Sequence, residues 1–323
     1  MKKTKIMMAI AAIAVMSVFA SCSKNDDVPE QSVLDRQYFT IQNATLKQGA
    51  IPQSASSSAF NSVTINNNVL PGGSSFVSLH SEVSITEVYV GVEGVNEYYL
   101  LSGSLQFIIL FNQNLSHSFT IQISALLSTG VLTSLYSAPL QFVNAGTGAL
   151  QVSLSFDNDK DVDLYVVEPS GRVIYYGDEG GDIEYNETTG EFYRIWGLDI
   201  DSNAGCSIDG INNENIFYPA EFIQSGKYEV WINMFSNCDP SIPTHSVVTA
   251  TQQGSLVPVT YGSNPFNIVF LEGSPSNGIG SSLTGATKVM EFTMNGSYSP
   301  SPAAVKSKPD ESKSKKSKSK SIN

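Results

Sequence analysis

The sequence Asp157-Asn-Asp-Lys-Asp-Val-Asp-Leu-Tyr-Val-Val-Glu-Pro-Ser-Gly171 joins an acidic loop to an apolar strand. Two similar segments follow it: Leu198-Asp-Ile-Asp-Ser-Asn-Ala-Gly-Cys206 and Gly226-Lys-Tyr-Glu-Val-Trp-Ile-Asn-Met-Phe-Ser-Asn-Cys238. Carboxylates and amides gather in the turns, whereas apolar residues alternate in the strands. This pattern predicts a β-domain whose loops hold a hard cation, and Ca²⁺ is the cofactor that we expect.

The segment Leu150-Gln-Val-Ser-Leu-Ser-Phe156 is predicted to be the first strand of this domain. Its apolar and polar residues alternate with period two, so Leu150, Val152 and Leu154 share one face. We expect that face to be buried and the face of Gln151 to be wet. The alternation continues to Met294, so the predicted domain spans residues 148–298.

These segments resemble the YfaP-like family of secreted bacterial β-sandwich domains. The resemblance rests on Asp161-Val-Asp-Leu-Tyr-Val-Val-Glu-Pro169, Asn213-Glu-Asn-Ile-Phe-Tyr-Pro219 and Gly226-Lys-Tyr-Glu-Val-Trp-Ile232. It covers roughly residues 148–250, and residues 250–295 match nothing in the family. The resemblance implies a β-sandwich in an extracytoplasmic setting, but no established activity.

Two acidic runs supply the candidate cation ligands, which are Asp157, Asp159, Asp161, Asp163, Asp199, Asp201, Asn203 and Asp209. Carboxylates this close repel one another unless they are solvated or neutralised by a cation. Neither run is an EF-hand loop, because Val162 and Ala204 stand where that loop needs glycine. Asp163 lies within a predicted strand and has backbone amides as alternative partners. The alternative for both runs is a pair of solvated acidic turns.

Residues 1–21 have the features of an export signal, with a basic start and a short apolar run before Cys22. A cysteine at this position resembles the lipobox of bacterial lipoproteins, which implies a diacylglycerol thioether on Cys22. Phe19 stands where that family usually has leucine. Ser23-Lys-Asn-Asp-Asp27 resembles the export tag of Bacteroides-type surface lipoproteins. We therefore expect a tether over 22–31 and a lipid-anchored protein on the outer membrane.

The charge of the chain is unevenly distributed. Residues 22–302 hold 28 of the 30 acidic residues but only 8 of the 18 basic ones. Such an excess of negative charge excludes nucleic acid as a partner and favours divalent cations. The predicted partners are the membrane, through the lipid anchor, and a glycan or a surface protein.

Residues 32–147 are predicted to form a first domain of about seven short strands separated by glycine-containing turns. This spacing is typical of an immunoglobulin-like sandwich. The domain has few charges, which favours a spacer role. The alternative is a recognition domain whose exposed tyrosines, Tyr89, Tyr98 or Tyr99, stack on a ligand. The fold class is therefore all-β, with an Ig-like and a YfaP-like sandwich.

Cys206 and Cys238 are the two cysteines that follow Cys22, and an exported chain favours their pairing in a disulfide. Two free thiols are the alternative. Four aromatic residues, Tyr175, Tyr176, Tyr193 and Trp196, are candidates for a ligand-stacking face. Aromatic residues in strands also commonly fill a core, which is the alternative for this group.

No catalytic motif is present, because His80, His117 and His245 lie far apart and no nucleophile elbow or phosphate-binding loop occurs. We expect a non-catalytic binding or adhesion module. The alternatives are an accessory or weakly hydrolytic component of polysaccharide degradation and a structural envelope protein. Residues 299–323 are rich in lysine and serine and are predicted to be disordered. The lysines of this tail have two alternative partners, anionic lipopolysaccharide and the acidic domain. The third alternative is a solubilising end that has no partner.

Overall fold

The computed structural model describes residues 32–55 and 60–296. The predicted signal (1–21), the lipidation site Cys22, the tether (22–31) and the tail (299–323) lie outside the described residues. Within the described part of the chain, helices are too short to cross a membrane. They are a π-helical turn over Leu34–Tyr38 and two 3-10 turns over Ala204–Cys206 and Ala220–Phe222.

The first sandwich has two antiparallel sheets, apart from one short parallel pair. Its described strands are β1 Phe39–Ile41, β2 Thr45–Gln48, β3 Ser62–Thr64, β4 Asn68–Val69, β5 Ser74–His80, β6 Ile85–Val92, β7 Glu97–Ser102, β8 Gln106–Phe111, β9 Phe119–Leu127 and β10 Tyr136–Phe142. The strand orders are β1-β8-β5-β3 and β2-β7-β6-β9-β10-β4. The core between these sheets includes Val77, Val88, Ile109 and Ile121, all of them fully buried.

The second sandwich carries the acidic loops. Its described strands are β11 Leu150–Phe156, β12 Asp161–Val167, β13 Val173–Ile174, β14 Ile183–Asn186, β15 Glu191–Arg194, β16 Gly197–Asp201, β17 Asn213–Tyr218, β18 Gly226–Ser236, β19 Thr244–Gln252, β20 Ser255–Leu256, β21 Tyr261–Gly262, β22 Phe266–Phe270 and β23 Thr287–Met294. One sheet has the order β16-β17-β11-β19-β20, with β22 also on β19, and the other has β13-β12-β18-β23-β21. Strands β14 and β15 form a separate hairpin.

The core of the second sandwich follows from the alternation of its strands. Val152 and Leu154 of β11 face Leu164 of β12 and Val230 of β18, and all four are fully buried. Burial of each such side chain stabilises the fold by roughly 1.5–3 kcal/mol. The predicted all-β class with packed sandwiches is confirmed.

The expectation of a wet second face on β11 is wrong. Gln151 is 1% exposed and Ser153 is 2% exposed, because the first sandwich covers this face. The Gln151 amide donates to the carbonyl of Pro71 at 2.8 Å, and Asn66 donates to the Ser155 hydroxyl at 3.1 Å. The polar residues of β11 therefore join the two sandwiches through hydrogen bonds. Strand alternation indicates polarity, but it does not indicate which polar face another part of the chain covers.

Candidate metal centre

Three carboxyl groups meet in the second sandwich. Asp163 of β12, Asp201 of β16 and Glu214 of β17 each offer an oxygen atom, and these atoms lie within 4.8 Å of one another. Asp201 and Glu214 are direct cross-strand partners in the β16–β17 pair. Asp163 comes from the other sheet. The two sheets therefore contribute ligands to one point.

Glu214 shares its strand face with Ile216 and Tyr218, which both belong to the core. The short strand β13 pairs with β12 only at Val166 and Val167. The edge of β12 at Leu164 therefore faces the Glu214 carboxylate instead of a β13 residue. The backbone amide of Leu164 donates to Oε2 of Glu214 at 3.2 Å. The amide of Ser202 donates to Oε1 at 3.3 Å. Glu214 is thus held rigidly between the two sheets.

Asp161 extends this cluster. It is 1% exposed, and its carboxyl group lies close enough to those of Asp163 and Asp201 to influence their ionisation. Oδ2 of Asp161 accepts the amide of Gly205 at 2.7 Å. Oδ1 is buried without a hydrogen-bond partner among the described residues. A buried acceptor of this kind costs stability unless a proton donor or a cation reaches it.

The predicted disulfide between Cys206 and Cys238 is confirmed, with a Cα–Cα distance of 5.6 Å. Cys206 ends the 3-10 turn that contains Gly205, and Cys238 follows β18 by two residues. Strand β18 pairs with β12, where Ser236 lies opposite Asp161. The disulfide therefore holds the Gly205 amide next to the Asp161 carboxylate.

The electrostatics of the cluster oppose full ionisation. Burial, with neighbouring carboxylates adding to it, raises the pKa of Asp163 to about 8. Burial likewise raises the pKa of Asp161 to about 6 and that of Glu214 well above its ordinary range. The Tyr165 hydroxyl donates to Asp163 at 2.7 Å, which offsets part of the shift. A divalent cation in the cluster would reverse these shifts.

The donor set fits a hard cation. All four side chains offer carboxylate oxygen, which Ca²⁺ and Mg²⁺ prefer, and no imidazole or thiolate is among them. Ca²⁺–oxygen distances of about 2.3–2.6 Å place opposite ligands at most about 5 Å apart. The ligand atoms of Asp163, Asp201 and Glu214, which lie within 4.8 Å of one another, agree with that geometry. Ca²⁺ tolerates such an irregular set better than Mg²⁺, which requires a near-ideal octahedron.

Asn203 and Asp209, two of the predicted ligands, are occupied in shaping the loop after β16. Asn203 is fully buried and donates to the carbonyl of Lys160 at 2.8 Å. Its own Oδ1 accepts the amide of Asp209 at 3.0 Å. Asp209 is exposed and accepts the Ser202 hydroxyl at 2.7 Å. Both side chains therefore lie outside the acidic cluster and shape the loop beside it.

Asp157 and Asp159 also lie apart from the cluster. Asp157 accepts both the backbone amide and the ring nitrogen of His245, at 3.0 and 2.8 Å. It thereby joins the β11–β12 loop to β19. Asp159 is exposed at the tip of that loop. Of the eight predicted ligands, the structure brings together Asp161, Asp163 and Asp201.

Asp199 lies in the bulge between Leu198 and Ile200, whereas Asp201 follows in the regular pairing with β17. Its carboxylate accepts the Asn215 amide at 2.7 Å and the backbone amide of Gly146. Burial raises the pKa of Asp199 to about 6. Asp199 and Asp201 both line a cavity of about 840 Å³, which therefore adjoins the acidic cluster.

The β14–β15 hairpin forms one wall of this cavity. Its turn is fixed by Asn186, whose Oδ1 accepts the amides of Thr188 and Thr189 at 2.9 and 3.2 Å. The hairpin leaves Phe192 75% exposed and Tyr193 46% exposed, and both line the cavity. Exposed aromatic rings at a concave site are suited to stacking on a ligand.

Of the four predicted ligand-stacking residues, only Tyr193 lies at this cavity. Tyr175 and Tyr176 are half-buried elsewhere and pack against each other, with ring centroids 4.9 Å apart. Trp196 is 5% exposed and stacks on Tyr218 inside the core, so its ring is not available to a ligand. For Trp196, the alternative that aromatic residues of strands fill the core is therefore the correct one.

Several site residues were absent from the sequence predictions, among them Glu214 of the acidic cluster and Phe192 and Glu184 of the cavity. Glu214 could have been found, because its strand alternation with Ile216 and Tyr218 places a carboxylate at a core-facing position. Phe192 could have been found from the Thr-Thr-Gly190 turn between two short apolar strands. Neither signal identifies the partner that each residue meets across the fold.

Comparisons with known proteins identify no family. No family model matches the chain, and no curated protein matches it. Among solved structures, the chain has similarity to the fibronectin(III)-like modules of CbhA from Clostridium thermocellum, with 10% identity and a TM-score of 0.19. That match covers 59% of this chain and 87% of the other.

A second similarity is to fervidolysin from Fervidobacterium pennivorans, a keratinolytic enzyme related to subtilisin. It has 13% identity and a TM-score of 0.15, and it covers 74% of this chain and 34% of the other. At these TM-scores neither similarity supports an inference about function.

Proposed function

We propose that this chain is a non-catalytic binding or adhesion module of the outer-membrane surface, stabilised by calcium. The metal part of the proposal is carried by the meeting of Asp163, Asp201 and Glu214 within 4.8 Å. The orphaned Oδ1 of the buried Asp161 supports it independently. The lipid anchor and the surface location rest on Cys22 and the residues around it.

The ligand site in this proposal is the cavity beside the metal centre. Its volume of about 840 Å³ falls within the range of small-molecule sites, about 300–1,000 Å³. Phe192 and Tyr193 offer rings, and the carboxylates of Glu184 and Asp199 offer hydrogen-bond acceptors. Rings beside acceptors suit a neutral glycan, which presents apolar faces and hydroxyl donors together.

The calcium hypothesis is tested by the melting temperature of the full chain in a few millimolar Ca²⁺ and in EDTA. A Ca²⁺ concentration a hundredfold above the dissociation constant stabilises the folded state by about 2.7 kcal/mol. That corresponds to about 5 °C for a protein of this size, because the entropy of unfolding grows with the number of folded residues. The Asp201→Asn variant should lose the shift, and the matched control Asp159→Asn, at an exposed position, should keep it.

An unchanged melting temperature in Ca²⁺ would contradict the calcium hypothesis. Loss of the melting shift in Asp159→Asn would indicate that the metal binds outside the cluster. Glycan binding is measured separately, by retention of the full chain on immobilised polysaccharides. A glycan-binding module should release no reducing ends.

One observation favours a hydrolytic function as the second candidate. Asp199 lines the cavity with a pKa raised to about 6, which suits a general acid near neutral pH. Glycoside hydrolysis needs a second carboxylate, and Glu184 lines the same cavity. Reducing-end release by the wild type that is lost in Asp199→Asn would establish this function in place of the first.

A further inference from the structure

The cavity beside the metal centre is strongly acidic. Its lining includes Glu179, Glu184, Asp199, Asp201 and Glu221, against a single basic residue, Arg194. Arg194 already pairs with Glu179 and donates to the carbonyl of Gly181 at 2.6 Å. A concave site lined by one sign of charge concentrates ligands of the opposite sign. The cavity is therefore suited to a cationic group.

The aromatic wall of the cavity adds to this preference. Phe192 is 75% exposed and Tyr193 is 46% exposed on the hairpin. An ammonium group within about 6 Å of an aromatic ring centre is stabilised by about 0.5–1 kcal/mol at exposed sites. Carboxylates and open ring faces together select a primary ammonium ligand over a neutral apolar one.

The described chain ends next to a segment that lines the same cavity. Gly296 packs against the carbonyl of Ile223, where a side chain would not fit. The Ser225 hydroxyl fixes it further, donating to the carbonyl of Gly296 at 2.6 Å. Glu221 and Phe222, which immediately precede Ile223, line the cavity. Gly296, the last described residue, therefore lies next to the segment that supplies Glu221 to the cavity.

The sequence after Gly296 carries the complementary charge. Seven lysines lie between Lys306 and Lys320, against two acidic residues, and serines separate most of them. Nine residues separate Gly296 from Lys306, and in extended form they span about 30 Å. The first lysines can thus reach a cavity whose wall adjoins Ile223.

We infer that the lysine-rich segment 306–320 binds in the acidic cavity of its own chain, with lysine ammonium groups on the carboxylates of Glu184 and Glu221. The segment then competes with any external ligand of the cavity. Because exposed charge pairs weaken with salt, this occupancy falls as ionic strength rises. The inference goes beyond the proposed calcium-stabilised module and does not depend on a bound metal ion.

The location of the segment is tested by zero-length carbodiimide cross-linking of the full chain in EDTA at low ionic strength, followed by peptide mass mapping. The expected result is amide bonds that join lysines of segment 306–320 to Glu184, Glu221 or Glu179. A mixture of isotope-labelled and unlabelled chains separates bonds within a chain from bonds between chains. Cross-links that are mainly between chains, or spread over exposed carboxylates elsewhere, would overturn the inference.

Binding of the segment in the cavity is tested by acylation. The acylation rates of lysines 306–320 are compared with the rate of Lys47, which is exposed. In the wild type, they should react several-fold more slowly than Lys47, and this protection should disappear in about 1 M salt, where the Debye length is about 3 Å. The double variant Glu184→Gln/Glu221→Gln should lose the protection. The control Glu93→Gln/Glu272→Gln removes the same charge at exposed positions and should keep it. Equal loss of lysine protection in both double variants would overturn the inference, because it would indicate diffuse attraction between the lysines and the negative surface.

These outcomes are independent of the calcium hypothesis. Cross-linking and acylation are measured in EDTA, whereas the calcium hypothesis is tested by the melting shift in Ca²⁺. Lysine protection without a Ca²⁺ shift would support the segment's binding alone. A Ca²⁺ shift without protection would support the metal centre alone.

Discussion

Asp163 and Glu214 belong to opposite sheets of the second sandwich, yet their carboxyl groups meet within 4.8 Å. Hydrogen bonds hold both side chains in place, from the Tyr165 hydroxyl to Asp163 and from the Leu164 amide to Glu214. Two like charges fixed this closely away from water strongly disfavour the ionised pair. A bound cation would convert that repulsion into attraction between the sheets.

The Glu214→Gln substitution should therefore matter far more with calcium than without it. In EDTA it removes one buried carboxyl group from a cluster of like charges, but the single glutamine oxygen can accept only one of the two amides that Glu214 holds, those of Leu164 and Ser202. These effects oppose each other, so we expect the free energy of unfolding in EDTA to change by no more than about 1 kcal/mol. In Ca²⁺ the melting shift should disappear. The measurement is thermal unfolding of both proteins in EDTA and in Ca²⁺.

A matched control for Glu214→Gln is Glu168→Gln. Glu168 is equally buried in the second sandwich, but its carboxylate accepts the Gln224 amide at 2.8 Å and lies outside the cluster. This variant should keep the full response to Ca²⁺. Retention of the response in Glu214→Gln would contradict the proposed ligand set.

The pH dependence of stability should also depend on calcium. The raised pKa values of Asp161 and Asp163, about 6 and about 8, mean that the folded state holds protons that the unfolded state has released. In EDTA, the free energy of unfolding should therefore fall by more than about 1 kcal/mol as pH rises from about 4 to about 8. In Ca²⁺ the fall should be suppressed, because the ion replaces the protons. Urea unfolding across this pH range measures the effect, and a rise in stability in EDTA would contradict it.

Loss of the disulfide should affect both stability and the metal centre. Replacing Cys206 and Cys238 by serine should cost about 3–4 kcal/mol in the chain-entropy model for a loop with a sequence separation of 32 residues. The Gly205 amide would then be free to leave Asp161, so the response to Ca²⁺ should weaken as well. Calorimetry of the double variant in EDTA and in Ca²⁺ measures both effects. A normal Ca²⁺ shift in the variant would show that the loop does not position Asp161.

The contact between the sandwiches should be sensitive to Gln151. The substitution Gln151→Ala removes donors to the Pro71 carbonyl and to Asn215, both at 2.8 Å, and leaves these buried acceptors unpaired. We expect a loss of about 1–3 kcal/mol. Gln252→Ala, at an exposed position of β19, should change stability by less than about 0.5 kcal/mol. Equal stabilities of the two variants in urea unfolding would contradict a structural role for the contact.

Phe192 offers a test of the ligand site that stability does not complicate. It is 75% exposed, so Phe192→Ala should change the free energy of unfolding by less than about 0.5 kcal/mol. Retention on immobilised polysaccharide should nevertheless fall. Leu271→Ala, at a position that is 69% exposed and away from the cavity, is the control and should leave retention unchanged.

The sequence was sufficient to predict the fold class, because alternation at positions such as Val152, Leu154 and Leu164 defines strands with an apolar face. It was not sufficient to predict that Gln151 and Trp196 are buried. Both lie in strand-rich segments, and burial there depends on contacts between residues far apart in the chain. Periodicity describes one strand at a time, whereas burial depends on what packs against it.

The acidic cluster was predicted in part for a similar reason. Asp161, Asp163 and Asp201 were expected ligands, and they do come together. The bulge between Leu198 and Ile200 interrupts the strand periodicity and separates Asp199 from the cluster. Glu214 completes the cluster from β17, which contains no acidic run. Spacing along the sequence cannot predict such a meeting across two sheets.

The ring of Tyr165 lies one hydrogen bond from the acidic cluster, since its hydroxyl donates to Asp163 at 2.7 Å. That ring also stacks on Tyr175, with centroids 5.5 Å apart. A luminescent lanthanide ion, which shares the oxygen preference of calcium, would therefore have an ultraviolet-absorbing ring pair at its side when bound to Asp163. Energy absorbed by these two rings would pass to the bound lanthanide, so its sensitised emission would report occupancy of this one site without any added label.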